Sequence, residues 1–206
     1  MAPANCISLG ILAIYLAGFF WGTIEAARAA GQSVWLFGKA SGTSRLAAFG
    51  FRAAFVLALT GPILWLAVPM LHGADPLWGT EKHTLFGVIG AVTAATGAAL
   101  AFAAQMSMGA SWRVGVAPGK TGALVTGGLY RISRNPTFLG QIVLLAGVAL
   151  AVPSLPTALA PVLFLWSASV QIREEERVLR AAHGAAYDAW AARVPRWIGL
   201  RREERI

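Results

Sequence analysis

Residues 137–172 read "TFLGQIVLLAGVALAVPSLPTALAPVLFLWSASVQI", and the way this run is divided decides the fold. The pentad "VPSLP" at 152–156 sets two prolines around a serine. Proline lacks a backbone donor and clashes with the preceding turn, so it interrupts a helix. Two apolar arms remain, each slightly shorter than the roughly 20 residues that cross a bilayer core. The pattern predicts a tight hairpin of two helices, sheltered by neighbours or matched by local thinning of the bilayer.

Upstream lie three longer apolar runs. "ISLGILAIYLAGFFWGTIEAA" starts at Ile7, "LAAFGFRAAFVLALTGPILWLAVPML" at Leu46 with Pro62 as a kink, and "LFGVIGAVTAATGAALAFAAQ" at Leu85. The expected fold is an all-α polytopic membrane protein of about five transmembrane helices, with a C-terminal hairpin and a cytoplasmic tail helix. It reads as one membrane domain over residues 1–206, with three spans in 1–105 and a functional part in 106–206. The third run carries Gly87, Ala91, Ala95, Ala99 and Ala103 at intervals of four, a ladder expected to let a neighbouring backbone approach.

Composition agrees. The 206 residues are 57% hydrophobic and only 13% charged, with a mean hydropathy of +0.63, values that belong to membrane proteins. The formal net charge of +8 is spread between and after the apolar runs. Basic loops beside a bilayer account for it, and no nucleic-acid partner is implied. The amino end lacks the basic stretch of a cleaved signal, so its apolar run reads as a retained span. Cys6 is the single cysteine, which excludes an intrachain disulfide.

Arg28, Lys39 and Arg45 follow the first run, and Arg113, Lys120, Arg131 and Arg134 follow the third. Eight arginines follow Ile172, whereas Asp75, Glu81 and Lys82 between the second and third runs leave no positive excess. The positive-inside bias therefore predicts the N-terminus outside and the C-terminus in the cytoplasm, in a bacterial inner membrane. Glu25 and Arg52 sit near the cytoplasmic border. They are expected to pair or line a substrate entrance, with snorkelling of Arg52 the simpler account.

Two polar segments flank the hairpin. The first, "GGLYRISRNPTFLG" at 127–140, has a purely structural account: Asn135 caps a helix, Pro136 opens it, and Arg131 and Arg134 are flanking positives. The second, "IREEERVLRAAHGAAYDAWAARVPRW" at 172–197, begins with three acids where positive charge is expected, and Gly184 is positioned to end its helix. A short hairpin would bring both together as one pocket at the cytoplasmic rim. Guanidinium and amide donors suit a carboxylate, and glutamates suit a ribose diol or an ammonium. S-adenosylmethionine carries all of these groups, as do many other amphiphilic ligands.

"RNPTFLG" resembles the Arg-His-Pro-x-Tyr-x-Gly signature of the isoprenylcysteine carboxyl methyltransferase and phospholipid methyltransferase superfamily. "EERVL", "HGAAY" and "VPRW" are similar to its second block, and "MGASWR" and "LVTGGLY" to its approach, so the resemblance covers about 106–198. It implies an integral membrane methyltransferase that takes its methyl group from S-adenosylmethionine. The acceptor would be lipophilic, an isoprenylcysteine carboxylate or an aminophospholipid. Cofactor roles would fall to Tyr130, Arg134, Asn135, Pro136, Glu175 and Glu176. Asn135 and Phe138 depart from the signature's His and Tyr, and Asn135 cannot move a proton by titrating. An acceptor carboxylate would be oriented by Arg173, and an amine would need Glu174 or Glu175 as base.

Other classes remain open at this point. A non-catalytic scaffold of the same architecture would explain the two departures, and a small transporter would need a path that five weakly charged spans do not supply. His72 and His83 share one loop and His183 lies on the other side, so no metal or haem site is expected.

Overall fold

A computed structural model describes residues 3–36, 42–70, 83–115 and 121–198. Lys39, His72, Asp75, Glu81, Lys82, Lys120 and the tail beyond Ile198 lie outside the described residues. Among the described residues six α-helices follow one another: α1 (Pro3–Ala30), α2 (Gly42–Ala67), α3 (His83–Met108), α4 (Pro136–Ala151), α5 (Leu155–His183) and α6 (Ala185–Arg193). Two 3-10 turns, Gly109–Ser111 and Gly128–Arg131, lie between α3 and α4.

Among the described residues four helices, α1, α2, α3 and α5, are long and apolar enough to cross a membrane, and α4 is a shorter apolar helix. The hairpin is therefore unequal. Its first arm has 16 residues, about 24 Å at 1.5 Å per residue, and its second has 29. The second arm is not short, because α5 runs without a break from its apolar part, Leu155–Ile172, through the charged turns that follow. Gly184, with φ of 51°, ends it. The predicted shelter goes to α4, which buries nine residues, Leu144, Leu145 and Val148 completely, among α3, α5 and α1.

The "VPSLP" pentad makes the corner. Ser154 is the N-cap of α5, accepting from Thr157 N–H, while the Thr157 hydroxyl accepts from Ser154 N–H. This reciprocal pair satisfies two donors that a buried helix start would otherwise strand. Both side chains are fully buried. Across the bundle the Asn5 amide donates to Ala151 O, one of the last carbonyls of α4.

The closest helix pair is α3 with α4. Gly90 and Gly97 on one, and Gly140 and Gly147 on the other, interleave backbone against backbone. A Cβ added at Gly97 would lie 2.6 Å from Gly140 O, and one at Gly140 would lie 2.7 Å from Gly97 O. The small face of α3 is thus Gly90, Ala94, Gly97, Ala101 and Ala104, all buried. In the predicted ladder Ala95, Ala99 and Ala103 are exposed instead. A strict interval of four advances beyond the 3.6-residue turn, so the row drifts off one face within a few steps.

On the other side α2 packs against α5 through Phe51, Phe55 and Phe164, whose rings lie 5.1–5.7 Å apart. Pro62 lies inside α2. Glu25 pairs with Arg28, one turn along its own helix, and not with Arg52, whose guanidinium lies 6.0 Å over the Trp35 ring.

Candidate functional site

All the cleft-forming segments meet at one end of the bundle, where α3 stops, α4 starts and α5 leaves its apolar part. Leu36 N–H donates to Val114 O, and Val114 N–H to Val34 O, tying the α1–α2 connection to the segment after α3. Trp112 Nε1 donates to the Thr23 hydroxyl at 3.1 Å, and Gln105 Nε2 donates to the same hydroxyl and to Phe19 O. Gly128, with φ of 56°, turns the chain in the left-handed region that favours glycine. Tyr130 is thereby buried against Tyr187, Trp190 and Val194. Trp190 Nε1 donates to Tyr130 O, which fastens α6 beneath this loop.

The two polar segments are clipped together by main-chain acceptors. Arg134 N–H donates to Pro195 O at 2.9 Å, Asn135 Nδ2 donates to Arg196 O at 2.8 Å, and Ser133 Oγ reaches the same carbonyl. Asn135 occupies the N-cap position of α4 with Pro136 at its first turn, but its side chain makes no cap bond and is spent on the tail instead. Both the capping position and the joining of the segments therefore hold.

Ion pairing organises one wall. Arg196 grips Glu176 with two bonds, Nε to Oε1 at 2.9 Å and Nη2 to Oε2 at 2.6 Å, a fork matched to a carboxylate. Arg134 Nη2 lies 3.3 Å from Glu176 Oε1, and Nη1 donates to the Tyr187 hydroxyl at 3.2 Å. Burial, with the nearby Glu176 charge, pushes the Tyr187 hydroxyl up, so it stays protonated and keeps a proton to donate. Arg134 Nε is buried and has no partner among the described residues.

Glu176 stands on α5, and the rest of that helix's cleft face continues this wall. Gln171 and Glu175, four residues apart and hence on one face, both line the cleft. Gln171 Nε2 is buried without a partner among the described residues. Glu175 has no ion pair among the described residues. It is packed among protein atoms with the Glu176 charge beside it, and burial together with that charge pushes its carboxyl up to about 8. The remaining lining comes from Tyr130, Thr137, Phe138, Gln141, Tyr187 and Trp190, from the segments around Trp112 and Leu124, and from Phe19 and Phe51 of α1 and α2.

Of the residues singled out in the sequence, Tyr130, Arg134, Asn135, Glu175 and Glu176 line the cleft. Pro136 is buried at the start of α4 and does not. Arg173 is exposed and Glu174 pairs with Arg177 at 2.9 Å, so neither is brought to the cleft. The helical turn explains it: position 173 is about 200° around the axis from 175. Tyr187, Gln171 and Gln141 were not singled out. A glutamine inside an apolar run is the signal that would have found two of them.

Residues 85–186 match the family model described as phospholipid methyltransferase. That segment holds α3, α4, α5 and the start of α6, and leaves α1 and α2 outside it. No curated protein and no solved structure matches the chain.

Proposed function

We propose that the chain, whose residues 85–186 match the phospholipid methyltransferase family model, binds S-adenosylmethionine in its cleft and transfers the methyl group to a membrane-held acceptor. The observation that carries this reading is a pair of buried donors on cleft-lining residues without partners among the described residues, Arg134 Nε and Gln171 Nε2, beside the Glu175 carboxylate on the same cleft. A donor unpaired in a buried place costs free energy unless a ligand completes it. The set fits an adenosyl amino acid: Arg134 for its carboxylate, Glu175 for an ammonium or ribose diol, and the Tyr130, Tyr187 and Trp190 rings for the cation and the base.

The bound cofactor supplies a methyl group on a sulfonium, which is already a good leaving group. The chain's work is then alignment and exclusion of water. Glu176, pinned by Arg196, holds Arg134 in place, and Asn135 ties the start of α4 to the tail. For an amine acceptor, Glu175 would take the proton that the nitrogen must lose when it accepts the methyl group. That step needs Glu175 ionised. Arg173 and Glu174 do not serve this role from the outer face of α5.

The cleft is assigned to the cytoplasmic side. Among the described residues every arginine lies towards the cleft end of the bundle, from Arg28 and Arg45 to Arg193 and Arg196, as the positive-inside bias asks of a cytoplasmic face. Calorimetric titration of S-adenosylhomocysteine into the detergent-solubilised protein tests the reading. Saturable binding is expected, weakened at least tenfold by Arg134→Ala. A folded protein that binds nothing would leave the non-catalytic scaffold as the better account.

A further inference from the structure

Past α5 the chain turns back on itself and is fastened again twelve residues on. Gly184 closes α5 and opens α6, with φ of 51° and ψ of −128°, a conformation that favours glycine. α6 has nine residues and no side-chain cap at its start, so it needs tertiary support to hold its shape. Part of that support is apolar: Tyr187, Trp190 and Val194 join Tyr130 in a small cluster separate from the core of the bundle. The rest is polar. Arg180 Nε donates to Asp188 Oδ1 at 2.7 Å across the turn. At the far end Arg196 forks onto Glu176, and the carbonyls of Pro195 and Arg196 accept from Arg134 N–H and Asn135 Nδ2. The side chains of Arg180, Asp188 and Arg196 are 55%, 55% and 42% exposed, so water competes for these links.

We infer that residues 184–196 are a lid on the cleft, hinged at Gly184 and latched where Arg196 meets Glu176, and that this lid opens as a unit to admit and release a ligand carried in water. The two buried residues of α6, Tyr187 and Trp190, both line the cleft, so this segment forms part of its wall. The other walls are held differently. α4 and α5 are packed into the bundle, and the segment around Trp112 is tied to Thr23 of α1 and to Val34. A segment held by a small separate cluster and by solvent-exposed polar links opens at lower free energy than the whole protein unfolds. Closing returns the Tyr187 hydroxyl to Arg134 Nη1 and Arg196 to Glu176, so the guanidinium wall is complete only with the lid down. Residues 187–196 lie beyond the segment that matches the family model. The inference rests on the methyl-transfer reading for the identity of the ligand, while the opening can be followed without one.

The test uses the full chain in detergent carrying Cys6→Ser, which removes the single native thiol, and Thr137→Cys, which sets a reporter thiol on the cleft wall. A charged, water-soluble thiol reagent is added and the labelling rate is read by mass spectrometry. Thr137 is 6% exposed, so labelling of this parent should be slow, and raising the salt concentration should speed it by screening the latch. Arg196→Gln should speed labelling at least tenfold. Gly184→Ala, whose Cβ meets nothing within 4 Å but strains the hinge, should speed it at least threefold, and Asp188→Asn should act in the same direction. Thermal unfolding of each variant should stay near the parent's, which separates an open lid from a lost fold. S-adenosylhomocysteine should slow labelling saturably. Fast labelling of the parent, or a rate indifferent to salt and to all three substitutions, overturns the lid even where S-adenosylhomocysteine binds. If the substitutions speed labelling as expected but S-adenosylhomocysteine neither binds nor protects, the methyl-transfer reading fails and the lid stands.

Discussion

α3 with α4 and α1 with α2 are both pairs of apolar helices, and they are built to opposite ends. The first pair has four glycines in register, leaving backbone against backbone with no room for a methyl group. The second pair has Phe, Leu, Val and Arg along its facing surfaces and encloses a groove. In a bilayer the apolar effect does little to hold helices together, so close packing must do it. A pair that forgoes such packing leaves space that lipid or ligand fills. The tight pair fixes the start of α4, and with it Arg134 and Asn135; the loose pair leaves a groove.

The sharpest way to break this contrast is to fill the tight pair. Gly97→Leu pushes a side chain into Leu144 N and Gly140 O, which are backbone atoms and cannot step aside. The expected loss exceeds the roughly 1–3 kcal/mol of ordinary overpacking, and thermal unfolding in detergent should show no cooperative transition near the parent's. The matching substitution in the loose pair, Val56→Trp, should leave the unfolding temperature almost unchanged. Equal damage from both would erase the distinction.

Next in size is the chemistry of the cleft. Glu175→Gln should lower methyl transfer by about 10²–10⁴-fold, the usual range for a lost general base. Its pH signature is more telling. Glu175 must be ionised to accept a proton, and its carboxyl is pushed up to about 8. The parent's rate should therefore fall as pH drops through about 8 and level off above it, and in Glu175→Gln that limb should vanish. A parent profile flat between pH 6 and 9 removes Glu175 as base.

A smaller effect belongs to Asn135, which ties α4 to the tail by its side chain alone. Asn135→Ala deletes one partly buried hydrogen bond, worth about 1 kcal/mol, and loosens the tail that carries Arg196. S-adenosylhomocysteine affinity should fall a few-fold, well short of the loss from Arg134→Ala.

Much of this was legible in the sequence, for identifiable reasons. Apolar length marked the helices, proline and serine marked the corner, and a run of acids against the expected charge bias marked the α5 wall. Tyr130, Arg134, Asn135, Glu175 and Glu176 reach the cleft because each motif turns as a unit. Which glutamate of the three faces inwards depends on helical phase, and Arg173 and Glu174 point away for that reason. The partners of Glu176 lie 42 residues before it and 20 after it, Arg134 and Arg196. No local pattern specifies that pairing. The groove was not legible because it lies between two helices whose backbones stand apart, bridged by Tyr15 on Phe55.

The phase of α3 supplies the smallest expected effect, at Ala99, with a larger one two residues away as its control. Ala99 belongs to the strict every-fourth row and is exposed, whereas Ala101, two residues on, is fully buried beside Gly140. Ala99→Leu should leave stability within about 0.5 kcal/mol of the parent, as surface changes generally do. Ala101→Leu, equal in composition and hydropathy, must force α3 from α4 and should destabilise by at least the roughly 1–3 kcal/mol of overpacking. Were Ala99 the sensitive position, the close face of α3 would follow the fourfold row and the glycine register against α4 would be wrong. Two alanines separated by one residue then distinguish a face read by counting from a face set by the turn of the helix.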